Sequence, residues 1–384
     1  MRSGGLEKKR GEISRKYDPV SFALSVITGF LIQRDMKIKF KDTSVLEDLR
    51  QQCPQISVSD YPNIVIFSDL HMGNGGSRDD FRHNGYLVTA VLQQYYQNYA
   101  LVLNGDIEDI QKFRRRKIMR AWKELFDVFW QFHHRGMLFK IIGNHDWALQ
   151  ALPERPEYLP LIEGLRIMWN QKEFFVFHGH QLSRMYELFE PLITLGLRIL
   201  AVPLGFANVS VAHDNDKKYK LEKQVYEFSR ERRIASMIGH THRPLFESLS
   251  KRDVIRYKVE HLLRTLHFAS QEETDDIEEE ILAYKQLLLS DADFFEINSL
   301  LYSDIVPIPC LFNSGGCIGN RGVTCLEIQG DEILLVHWFD EQVSSRYMSY
   351  EGYETHQLPG TSICRTILKQ ENLGYLFNSI DLLS

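Results

Sequence analysis

Ile64-Val65-Ile66-Phe67-Ser68-Asp69-Leu70-His71 is a run of four apolar residues that passes without a linker into a serine, an acid and a histidine. A short, continuously apolar run fits a strand covered on both faces. In extended chain, residues two apart project to the same side, so Asp69 and His71 can grip one ion. Four further segments repeat the design: 100–103 before Asn104-Gly105-Asp106, 138–142 before Gly143-Asn144-His145-Asp146, 174–177 before His178-Gly179-His180, and 237–238 before Gly239-His240-Thr241-His242. Helical stretches at 87–98 and 112–133 separate the first three. This alternation predicts α/β layers, and sites in such sheets lie at the carboxyl ends of strands. All five polar clusters are thereby expected to converge.

The chain of 384 residues, 44% hydrophobic, is long enough for one large or two ordinary domains with a real core. Its 45 basic and 51 acidic side chains give a formal charge of −6, so no overall basic field points to a nucleic-acid partner. Five cysteines, Cys53, Cys310, Cys317, Cys325 and Cys364, lack the paired spacing of a zinc site and read as reduced thiols of a cytoplasmic protein. The apolar stretch 19–32 has no clear cleavage site and is followed by Arg34, Lys37 and Lys39, which argues against secretion. A second apolar region, 199–212, is short for a bilayer span and is broken by Pro203 and Gly205. It is expected to reach a membrane only peripherally, as part of the apolar segment 185–212.

Beyond Pro244 the pattern changes. Segments 254–266 and 277–288 read as amphipathic helices around the acidic run 271–280, and Ser270 with Glu273 would cap the second. Strand character returns at 308–313, and 323–328 with 332–338 flank Gly330-Asp331 as a hairpin. The expected organisation is an N-terminal extension at 1–60, a main domain at 61–340 interrupted by a helical insertion at 245–307, and a C-terminal tail at 341–384.

The candidate ligands carry nitrogen and oxygen only, which suits Mn²⁺, Fe²⁺ or Zn²⁺ and not thiolate-seeking ions. Asp106 has two carboxylate oxygens and can bridge a pair of ions; Asn144 offers a neutral amide oxygen and His178 another nitrogen. Any one Asp-x-His or Gly-Asp is normally a turn or a chance pair. Five of them in consistent order, each beyond an apolar strand, are a different matter.

The series Ser68-Asp69-Leu70-His71, Asn104 to Asp109, Gly143 to Asp146, His178-Gly179-His180 and Gly239 to Pro244, closed by Asn313-Ser314-Gly315-Gly316, resembles the calcineurin-like metallophosphoesterases. The resemblance covers about 64–244 and implies a double-layered β sandwich flanked by helices. It implies one metal held by Asp69, His71, Asp106 and His242, and a second held by Asp106, Asn144, His178 and His240. It further implies that His145 faces the leaving-group oxygen and that Asp109 orients its imidazole. His180 is left as a neighbour of the site.

The expected activity is hydrolysis of a phosphate ester or pyrophosphate by metal-activated water, with a phosphorylated small molecule as substrate. The Arg114-Arg115-Arg116-Lys117 run could engage a second phosphate, or form a solvated helix face. Segment 185–212 is similar in position to the cap of the UDP-diacylglucosamine pyrophosphohydrolases, which makes a lipid-linked UDP-sugar pyrophosphohydrolase one alternative. Those enzymes carry Arg where this chain has His145, and they lack the 245–307 insertion. A non-catalytic scaffold of the same fold is the other alternative, opposed by the completeness of the ligand set. The oligomeric state is not legible.

Overall fold

The computed structural model describes residues 43–151, 159–182, 215–247, 308–344 and 355–384, with 259, 262, 263, 266, 274, 277–279 and 281–285. Two compact units divide between Asp42 and Thr43, and every described residue belongs to the second.

The architecture is mixed α/β, with two sheets flanked by helices. In chain order the elements are α1 (Ser44–Gln52), β1 (Gln55–Ser57), β2 (Asn63–Phe67), α2 (Gly85–Gln94), β3 (Ala100–Asn104), α3 (Arg115–Ala121), α4 (Lys123–His134), β4 (Leu138–Ile141), β5 (Gly164–Trp169) and β6 (Lys172–Phe177). They continue with α5 (Asn215–Arg232), β7 (Ala235–Ile238), β8 (Leu311–Asn313), β9 (Val323–Gln329), β10 (Glu332–Asp340), β11 (Thr355–Gln357), β12 (Ile363–Asn372) and α6 (Leu373–Leu383). One sheet has seven strands in the order β11-β12-β10-β9-β2-β3-β4, the other five in the order β1-β5-β6-β7-β8.

The continuous apolar runs follow from this layering. Along β2, Ile64 and Ile66 enter the core shared with Phe174, Val176, Ala235 and Met237 of the other sheet, while Val65 and Phe67 pack with Leu87, Val91 and Phe129 of α2 and α4. Side chains alternate faces, and both faces are dry, so no polar residue is admitted. In β6, Phe174 and Val176 enter the shared core, and Phe175 and Phe177 meet Leu46, Val225 and Phe228 of α1 and α5.

The five expected strands stand as β2, β3, β4, β6 and β7, and the hairpin forms with Gln329 opposite Glu332 and Gly330 at a φ of +58°. The single helix expected at 112–133 is two, separated by Trp122, whose indole N–H donates to Asp79 Oδ2 at 3.0 Å. Both ends expected to lie outside the domain contribute to it. Within 1–60, β1 pairs with β5, and the Arg50 guanidinium grips Glu173 at 2.6 and 2.9 Å. Within 341–384, β12 runs antiparallel to β10 from Ile363 to Asn372, and Leu373, Leu376, Phe377 and Ile380 of α6 fill the core between the sheets.

Every described residue between 259 and 285 is helical, while the remainder of 248–307, including Ser270 and Glu273, lies outside the described residues. So does the apolar segment 185–212. Among the described residues no helix is long and apolar enough to cross a membrane.

Candidate metal centre

Strands β2, β3 and β4 of one sheet and β6, β7 and β8 of the other end at the same place, and each delivers its polar cluster there. The strand ends of the two sheets are stitched together: Asn104 Nδ2 donates to the Phe177 carbonyl at 3.1 Å, and the amide N–H of His240 donates to Asp69 Oδ2 at 3.1 Å. Asp69, His71, Asp106 and His242 form one group, and Asp106, His178 and His240 another; within each, one ligand atom per residue lies within 4.8 Å of the rest. Asp106 is common to both.

The backbone that presents these side chains is unusual. Asp69, His71, Asp106, His240 and His242 have φ of 54°, 50°, 54°, 63° and 56°, five of the nine non-glycine residues with positive φ among those described. Left-handed backbone costs a non-glycine residue on the order of 1–3 kcal/mol and concentrates where function requires it. Here it lets residues two apart turn toward one point immediately after a strand. Two glycines let the backbones close in: a Cβ on Gly143 would fall 2.2 Å from the Asp106 amide nitrogen, and one on Gly239 would fall 2.7 Å from Asp69 Oδ2.

His242 Nε2 lies 3.1 Å from Asp69 Oδ1, and His71 Nε2 lies 3.0 Å from His242 Nε2. His178 Nε2 stands 3.2 Å from Asp106 Oδ2 without hydrogen-bond geometry, so the two atoms face a common space. His178 Nδ1 meets the Asn104 carbonyl at 2.8 Å, which fixes the tautomer and leaves Nε2 for the centre. Asn144 Oδ1 and His240 Nε2 are buried with no hydrogen-bond partner. An unpartnered buried acceptor is costly. Three such atoms aimed into a cluster containing two carboxylates fit divalent cations with nitrogen and oxygen preferences.

Electrostatics agree. Burial penalises the charged forms of Asp69 and Asp106, yet the surrounding histidines hold both below the ordinary carboxylate range, Asp106 well below it. Burial likewise opposes a charged His178, but Asp106 and Asp69 overcome it and push it up to about 9, so without an ion a proton on Nε2 answers these carboxylates, and ligation of a cation there would displace it. Desolvation drives His71 down to about 4 and His240 to about 3, so these imidazoles are neutral and their lone pairs free to ligate.

His145 belongs to neither of these groups, but with His71 and Asp109 it forms a third whose ligand atoms also lie within 4.8 Å of one another. Its Nδ1 lies 3.1 Å from Asp109 Oδ1, its amide N–H donates to Asp106 Oδ1 at 2.7 Å, and its ring meets that of His71 edge-on at 4.6 Å between centroids. Burial works against its cation, but Asp109 and Asp106 raise its pKa above the usual histidine value. His180 is buried with its ring centroid 5.5 Å from that of His178.

A buried layer behind the ligands was not predicted. Ser68 Oγ donates to Asp69 Oδ2 at 2.5 Å, and Asp146 accepts the Ile107 and Gly143 N–H groups at 2.8 and 2.7 Å, clamping two motif turns together. Asn313 Nδ2 donates to the Gly239 carbonyl and to Thr241 Oγ1, and Thr241 Oγ1 donates to Glu222 Oε1 at 2.9 Å. Glu222, buried on α5, also pairs with Arg243. Ser68, Asp146 and Thr241 lie inside the motifs, so their position was the available signal. Glu222 lies on a helix with no motif, and no signal marked it.

No protein-family model matches the chain, and no curated protein matches it. Among solved structures, a conserved uncharacterized protein described as a predicted phosphoesterase, from Streptococcus pneumoniae, is similar at 12% identity and a TM-score of 0.28, over 72% of this chain and 89% of its own. A single mutant of Vps29 from Entamoeba histolytica is similar at 9% identity and a TM-score of 0.31, over 80% and 99%. The fold is read from this chain's own strands: two sheets flanked by helices, with the candidate ligand-bearing turns meeting at their carboxyl ends, the two-layered arrangement expected from the motifs.

Proposed function

We propose that this protein is a hydrolase of phosphate esters or pyrophosphates that works with two divalent metal ions, Mn²⁺, Fe²⁺ or Zn²⁺. The observation that carries the reading is the convergence of five left-handed ligand residues on a centre where Asn144 Oδ1, His178 Nε2 and His240 Nε2 are buried and unpartnered. Asp69, His71, Asp106 and His242 would hold one ion, and Asp106, Asn144, His178 and His240 the other. Bound there, such ions supply Lewis acidity and a water of lowered pKa.

The chain's own contribution is the acid. Asp109 holds His145 by Nδ1, so the proton available for transfer is on Nε2, directed away from Asp109. The neighbouring carboxylates keep that proton bound until an alkoxide or phosphate oxygen departs and accepts it. A phosphorylated small molecule is the substrate this reading favours. Five cysteines, all free and buried, support a reducing cytoplasmic setting.

The test is reconstitution of stripped protein with each of the three metals, assayed against an aryl monoester, an alkyl monoester, a diester and a pyrophosphate. Chelator-sensitive hydrolysis of at least one is expected. No hydrolysis with any metal on any of the four would overturn the proposal.

A further inference from the structure

Two segments press together beside His145. Gln111 Nε2 donates to the Asn144 carbonyl at 2.7 Å, and the Lys112 ammonium stands 2.9 Å from Asp109 Oδ2, the carboxylate whose other oxygen faces His145. Lys112 also reaches Asp80 at 3.3 Å, which draws in the loop 74–83. That loop is built, not loose. Buried Asp79 accepts the N–H groups of Gly75 and Phe81 at 2.7 and 3.0 Å, and a Cβ on Gly73 would overlap Phe113 at 2.7 Å.

The charge on this surface is lopsided. Residues 78–83 and 111–117 carry Arg78, Arg82, Lys112, Arg114, Arg115, Arg116 and Lys117 against Asp79 and Asp80, in a chain whose net charge is −6. Asp79 is buried, and Arg115 is turned inward with Nε 3.9 Å from Glu108. Arg78, Arg114, Arg116 and Lys117 are exposed and make no ion pair among the described residues. Nor does the cluster help its own helix. It sits at the amino end of α3, where no acid occupies the first turn, and cations there oppose the helix dipole while repelling one another. An arrangement unfavourable to the free protein is relieved by an anion.

We propose that this surface binds a second anionic group of the substrate, a phosphate or an equivalent dianion, carried on the leaving-group side of the bond that is cut. The inference rests on the hydrolytic reading above, because it is His145 that marks the leaving-group side, and Gln111 and Lys112 flank it. One extra anion fits better than a polymer: the cations are confined to two short segments, and the rest of the chain is net acidic.

The test uses the metal-reconstituted full chain hydrolysing p-nitrophenyl phosphate or its bis ester, whichever is faster, with propyl phosphate and propane-1,3-diol bisphosphate as competing ligands. The bisphosphate is expected to inhibit about tenfold more tightly than the monophosphate, as one or two charge-assisted contacts would give. Added salt should erode that ratio. Arg114→Gln/Arg116→Gln should bring it close to unity while p-nitrophenyl ester turnover stays unchanged. Equal inhibition by both ligands, or a preference that survives the double variant, overturns the inference and leaves the hydrolytic reading standing. A single-stranded oligonucleotide that inhibits more tightly than the bisphosphate, with the advantage lost in the double variant, overturns its small-anion form. If neither reporter ester turns over, the same ratio is read on whichever of the alkyl monoester and the pyrophosphate is hydrolysed, and hydrolysis of none of the four overturns the hydrolytic reading and this inference with it.

Discussion

His145 and Asn144 are neighbours in sequence with opposite surroundings, and that contrast divides their roles. Asn144 Oδ1 is buried without a partner, whereas His145 Nδ1 is taken by Asp109. His145→Ala is therefore expected to leave metal content unchanged and to slow hydrolysis of an alkyl phosphoester by about 10²–10⁴-fold. An aryl ester, whose leaving group departs without a proton, should suffer less. Steady-state kcat/KM on both esters, with elemental analysis of the same samples, checks this; equal losses together with a lost metal would make His145 a ligand. Behind the site, Glu222 offers a stability test. Replacing it with Leu removes the partner of Thr241 and Arg243, and since Arg243 keeps partial contact with water, a loss of about 1–3 kcal/mol is expected in denaturant melts. Glu222→Gln, which keeps an acceptor for Thr241, should lose less; equal losses would deny the hydrogen bond its part. The residues that converge on the site were legible because each sits in a contiguous motif whose apolar strand fixes where it emerges. Glu222 was not, since only tertiary packing brings α5 to Thr241.

At the scale of elements, the strands that position the site were legible from their unbroken apolar runs, but which sheet each joins was not. A run buried on both faces looks the same in either layer, and periodicity carries no information about partners. The last strand and helix were missed for a related reason. Segment 363–372 is apolar at its start and polar at its end, because its first half crosses the core and its second half runs out to the sheet rim. Removing residues 355–384 should abolish cooperative unfolding. Burial of Leu373, Leu376, Phe377 and Ile380 is worth about 1.5–3 kcal/mol each, comparable in sum to the roughly 5–15 kcal/mol that separates folded from unfolded domains. A truncated chain with a sharp melting transition would show α6 to be dispensable. The opposite outcome is expected for the insertion. Leu245 and Asn313 exchange two backbone hydrogen bonds, both at 3.0 Å, so the core holds the two flanks of 248–307 near each other on its own. Replacing that segment by a short flexible linker should preserve the cooperative transition, as followed by circular dichroism; its loss would place the insertion in the core.

For the whole molecule, two sheets packed face to face bring five candidate ligand residues in left-handed backbone together at the carboxyl ends of their strands. Strain of that kind, repeated at Asp69, His71, Asp106, His240 and His242, persists only where the surroundings over-determine it, and the hydrogen bonds donated by Ser68, Asn104 and Asn313 and accepted by Asp146 do so here. The arrangement has no evident use without cations: it gathers two carboxylates, four imidazoles and an amide oxygen with too few protons to satisfy one another. Asp106, shared by both groups, is the point on which the pair depends. The most direct measurement is elemental analysis of the stripped chain after reconstitution with Mn²⁺, Fe²⁺ or Zn²⁺ and removal of excess metal, beside Asp106→Asn treated identically. Two ions per chain in the parent and a marked loss in the variant are expected, whereas metal at background in the parent would contradict the account.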